Sequence, residues 1–154
     1  MSDIQQSIII RTIVRIMIPF ILLFSLYVIM HGASGPGGGF QGGVIFGAGI
    51  ILYAMIYGIE EAKKKISDKA NRILASGGLV LYAGTGLLAI LFGGMFLEYG
   101  VIPLMPTTAY TAKILIDVVE IGIGMTVLAV MISLFFDISP PETEEDMHIH
   151  EEVE

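Results

Sequence analysis

The stretch TAYTAKILIDVVEIGIGMTVLAVMISLFF, residues 108–136, decides how this chain is read. Its only charged residues are Lys113, Asp117 and Glu120. A hydrocarbon core of about 30 Å is crossed by about 20 helical residues, so the stretch can span a membrane with room to tilt. At about 100° per residue, the three ionisable side chains fall within about 60° of one another, and Gly124 extends the stripe. One face of an otherwise apolar helix is therefore polar. Each such residue costs about 2.5–3.5 kcal/mol near the bilayer centre on insertion scales, so the trio is expected to face protein or a hydrated path. The i, i+4 spacing lets Lys113 pair with Asp117, and Glu120 lies beside Asp117 at i, i+3. A buried carboxylate left over from that pair must be met by a proton, a bound cation or a base from another chain. Glu120 is thus the candidate for exchanging a proton or sodium, with Lys113 and Asp117 tuning it. The alternative is a buried ionic patch that fixes docking to another subunit.

Three more apolar runs precede this one, at about 12–30, 40–59 and 73–97. With 55% apolar and 15% charged residues in 154, the chain is read as an all-α integral membrane protein with four transmembrane helices. Pro19 lies inside the first run, where membrane helices tolerate it. Residues 1–6 carry no positive charge, so that run is expected to be a retained helix rather than a signal peptide. Arg11 and Arg15 flank the first run, and Lys63, Lys64, Lys65, Lys69 and Arg72 fill the second connection, whereas residues 31–43 and 98–107 hold no Lys or Arg. The positive-inside rule then places both termini in the cytoplasm and the first connection outside.

The net charge of −7 resides in the tail, since residues 137–154 contain eight acids and no base. One membrane domain, 1–136, followed by an acidic cytoplasmic tail, 137–154, is the expected organisation. His148 and His150 in that tail are read as solvated, and no metal site is expected. The absence of cysteine excludes disulfides and thiolate-held clusters, and no cofactor is expected on the chain itself.

Between the first two spans, residues 31–43 read HGASGPGGGFQGG, with seven glycines in thirteen positions. A dinucleotide-binding reading of Gly37, Gly39 and Gly42 fails, because both flanks are membrane spans. Glycine permits close backbone approach, so the segment can pack tightly against neighbours or line a cavity. Gly43 with Gly47, and Thr85 with Ala89 and Gly93, place small residues every fourth position for close helix crossings.

The segment Pro36-Gly37-Gly38-Gly39-Phe40-Gln41-Gly42-Gly43 closely resembles the signature of the B subunit of Mrp-type sodium/proton antiporters, and the four-helix layout agrees with it. A similar subunit recurs in archaeal membrane-bound hydrogenases and sulfur reductases. The resemblance implies an ion-translocating module in the cell membrane, carrying Na+ or H+ and assembled with other membrane subunits. It implies no catalysis by this chain alone and no nucleic-acid partner. The family has a Gly-His pair ahead of the proline where this chain has His31-Gly32. His31, at the outer end of the first span, is a candidate proton relay or an interfacial residue. Glu98 is a weaker candidate at the same level.

Overall fold

The computed structural model describes residues 8–32, 37–103 and 107–139. Among them are five α-helices, which we number α1 (Ile8–Met30), α2 (Gly39–Tyr57), α3 (Ile59–Lys65), α4 (Asp68–Leu91) and α5 (Thr108–Ile138), with a single 3-10 turn at Tyr99–Val101. Four of them, α1, α2, α4 and α5, are long and apolar enough to cross a membrane. The acidic tail beyond Ser139 and Pro36 of the glycine segment lie outside the described residues.

The helices stand in the spatial order α1, α2, α5, α4, with α1 also reaching α5. Glycine sets these crossings. On α2, Gly39, Gly43 and Gly47 recur every fourth residue and face α5, where a methyl group on Gly43 would stand 2.7 Å from the Gly124 carbonyl oxygen. Gly42 and Gly49 occupy the opposite side and meet α1 at Ser25, Ile29 and Leu22. Between α4 and α5, Gly78 and Gly122 bring the two backbones together. Lipid tails are as apolar as leucine, so such close backbone approach, rather than water exclusion, supplies the association energy. Thr85 and Ala89 are buried in the same interface, whereas Gly93 meets nothing and serves a turn instead.

The first span begins at Ile8 rather than about residue 12 and the third at Asp68 rather than about residue 73, and two C-terminal ends differ for a local reason. The second span stops at Tyr57 because Gly58 takes φ +92°, a left-handed conformation that reverses the chain into α3. The third span ends at Leu91 rather than residue 97. There Gly93 takes φ +85°, Gly94 N–H donates to the Ala89 carbonyl at 3.0 Å, and Gly93 N–H donates to Ile90 at 2.9 Å. This is the Schellman arrangement, which satisfies the last carbonyls and stops the helix. Phe96 then folds back onto Gly86 and edges Tyr82, their ring centres 6.1 Å apart.

The basic connection is also helical. After α3, the chain breaks at Ile66 and restarts under Ser67, whose Oγ accepts the Ala70 N–H at 3.2 Å as an N-cap. Asn71 then ties α4 to α5, donating to the Ala129 carbonyl at 3.0 Å and the Ser133 hydroxyl at 2.8 Å while only 5% exposed. Asn71→Ala is expected to lower bundle stability by about 0.6–1.7 kcal/mol, the range for interhelical hydrogen bonds in membranes. Unfolding of the purified protein in mixed micelles measures this, and an unchanged midpoint would mean that the bonds contribute nothing.

Large apolar side chains cover the outside of the bundle, among them Phe20 at 65%, Leu23 at 66% and Val80 at 68% exposed. In water these faces would aggregate, so lipid and neighbouring subunits are their proper surroundings.

Candidate functional site around Glu120

The glycine segment and the charged helix, far apart in sequence, meet at Glu120. A methyl group on Gly32 would fall on the Glu120 carboxylate itself, and one on Gly38 would lie 3.1 Å from Oε1. At Gly39 the backbone of α2 comes so near that an added methyl would stand 2.9 Å from the Glu120 Cα. Only hydrogen side chains allow α2 to begin here. The first residue of α2 therefore lies level with Glu120, and the exposed N–H groups of a helix start favour negative charge beside them. Gly38 supplies no side-chain cap, and its carbonyl accepts the Gly42 N–H at 3.0 Å.

Among the described residues, Glu120 Oε2 is buried and has no hydrogen-bond partner. A carboxylate oxygen in that state is costly, and it invites a proton or a cation. Tyr99, in the 3-10 turn beyond α4, is close enough to feel the charge. Its phenol is pushed up from the ordinary 10.0 first by burial, then by Tyr82, then by Glu120, so it remains a neutral O–H group. Val101 and Tyr99 pack beside the buried cluster of Ala89, Ile102 and Leu115, which holds the turn against α4 and α5.

The other predicted residues are placed as follows. Asp117 is half-buried one turn from Glu120, and Lys113 is exposed one turn further along. No ion pair joins Lys113 to Asp117. His31 stacks on Tyr27 at 4.2 Å between ring centres, with Nδ1 3.1 Å from the Tyr27 carbonyl oxygen, so its ring is turned back along α1. Gly37 takes φ +110° against Val28, Gly42 faces α1 and Gly43 faces Gly124, while Phe40 and Gln41 are exposed. Glu98 accepts the Met95 N–H at 2.7 Å and closes the turn after α4, a structural task. Among the described residues, no group of three or more His, Cys, Asp or Glu side chains could hold a metal ion. Sequence reasoning missed Gly32, Tyr82 and Tyr99, whose positions carry no local pattern that points to Glu120.

Residues 9–133 match the family described as a domain related to the MnhB subunit of Na+/H+ antiporter. A protein of Staphylococcus aureus strain Newman named "Putative antiporter subunit mnhB2" is 28% identical over 136 residues, covering 88% of this chain and 96% of its own length. Its namesake in Staphylococcus haemolyticus is 28% identical over 139 residues with the same coverage. The chain belongs to the MnhB-related family: it is a multi-pass plasma-membrane protein and a subunit of a Mrp-type antiporter module, with other subunits as its partners.

Proposed function

We propose that this subunit contributes directly to Na+ or H+ translocation and that Glu120 is the carboxylate that exchanges the ion. The observation that carries the reading is the buried Oε2, unpartnered among the described residues and set against glycine backbone at the start of α2. Asp117 adds negative charge one turn away, Lys113 tunes it, and His31 lies at the end of α1 next to Gly32, on the side from which an ion would arrive. The termini and the basic connection are cytoplasmic in this proposal, and the glycine segment faces outward. The parent assembly is an antiporter or a respiratory hydrogenase or sulfur reductase that carries the same module; a nickel-iron subunit in the purified complex distinguishes them.

A hydrophobic carbodiimide tests the site, because it attacks protonated carboxyl groups in apolar surroundings. Mass spectrometry of the treated complex is expected to find Glu120 modified, with Na+ or high pH suppressing the adduct. Labelling that is absent, or indifferent to both, would refute an exchanging carboxylate. A second reading is favoured by one observation: Lys113 is exposed within a spanning helix and has no acid beside it among the described residues. An acidic side chain from a neighbouring subunit would meet it there, making the outer part of the stripe a docking face.

A further inference from the structure

At the end of the bundle opposite the glycine segment, α1, α2 and α3 enclose a cleft of about 180 Å³. Its walls are Ile18 and Leu22 of α1, Ile50 and Tyr53 of α2, and Ala62 of α3, with Lys65 at its edge. The cleft forms where Gly58, at φ +92°, turns the chain out of α2 and α3 packs beside α1 and α2, with Ala62 only 1% exposed.

The cations around it are not equally engaged. Lys64 pairs with Glu61, Lys63 lies 5.8 Å from the Phe136 ring centre, and Arg11 lies 5.4 Å from that of Tyr57. Lys65 has neither an acid nor a ring against it among the described residues, and the same holds for Arg15. Arg15 shares a helix face with Ile18 and Leu22, at spacings of three and seven, so it flanks the cleft from α1 as Lys65 flanks it from α3. Seven bases stand against four acids, Glu60, Glu61, Asp68 and Asp137, in the described part of this end.

We infer that the cleft holds an acyl chain of an anionic phospholipid, with its headgroup phosphate between Arg15 and Lys65. Apolar walls of this kind stay dry, so water is a poor occupant. Several methylene groups do fit, and the two flanking cations match a phosphate rather than a neutral headgroup. Lys and Arg reach such a headgroup along their own apolar stems. Lipid held here would tie α3 to α1, two helices otherwise joined through α2.

Native mass spectrometry of the purified, delipidated complex tests this with phosphatidylglycerol, phosphatidylcholine and glycerol phosphate as probes. Phosphatidylglycerol is expected to remain bound and to raise the melting temperature, phosphatidylcholine to do so weakly, and glycerol phosphate, which lacks chains, not at all. Arg15→Gln and Lys65→Gln are each expected to weaken phosphatidylglycerol binding about fivefold and to leave phosphatidylcholine binding unchanged. Equal retention of the two lipids by the unaltered complex would overturn the proposal, and that measurement needs no variant to fold. Undiminished phosphatidylglycerol binding in the double variant would overturn it as well. So would a side chain of a neighbouring subunit found filling the cleft in the assembled complex.

Discussion

Glu120→Gln is expected to abolish Na+/H+ exchange by the assembled complex, a loss of at least about tenfold, while the complex still assembles. Glutamine keeps the shape and length of the side chain, so the glycine cradle formed by Gly32, Gly38 and Gly39 is undisturbed. What it removes is the ability to gain and lose a proton or to hold a cation by charge. A neutral amide would also remove the desolvation cost of an unpartnered carboxylate oxygen, so stability should stay level or rise. That opposite movement of activity and stability separates an ion site from a docking site. A docking carboxylate replaced by an amide would weaken assembly, and exchange would fall only in proportion to the complex lost. Exchange in everted membrane vesicles, normalised to assembled complex, gives the answer; wild-type rates in the glutamine variant would refute the assignment of Glu120.

Gly39→Ala is expected to be the most damaging single-methyl change among the described glycines. The new Cβ would stand 2.9 Å from the Glu120 Cα and nearer still to its carbonyl, and backbone cannot rotate away as a side chain can. Helices α2 and α5 would have to separate, which also loosens the Gly43 and Gly47 contacts below. Forced overpacking costs about 1–3 kcal/mol and occasionally more. Gly84→Ala provides the comparison, because an added methyl there meets nothing within 4 Å and replaces glycine within α4 by a better helix former. Thermal unfolding of the two variants in the same detergent is expected to show a large loss for the first and no loss for the second. Equal midpoints would mean that the α2–α5 crossing does not depend on glycine.

The four spans were legible because length and apolarity alone define a membrane helix. Their ends were less so: Gly58 and Gly93 look like any of the other glycines until their positive φ values are seen. The basic connection reads as a loop by charge, yet it folds into α3 because Glu61 and Lys64 pair at i, i+3 and Gly58 turns it onto α2. Glu120 and the glycine segment were each conspicuous, one by charge in an apolar run and the other by composition. Their contact was not, since it joins positions 32–39 to 120 and leaves no trace in local periodicity. The Lys113–Asp117 pair shows the converse limit. Spacing permits it, but Lys113 is exposed and makes no ion pair with Asp117.

The level at which α1 and α2 stop has a consequence for voltage. Along α5, Glu120 lies twelve steps, about 18 Å, from Thr108 and eighteen steps, about 27 Å, from Ile138. Moving one elementary charge across a whole membrane at 100 mV involves about 2.3 kcal/mol. An ion exchanged at Glu120 from the connection side would traverse the smaller share of that field, and its passage toward the basic end the larger share. Release toward the basic end should then respond more steeply to membrane potential than loading of the site does.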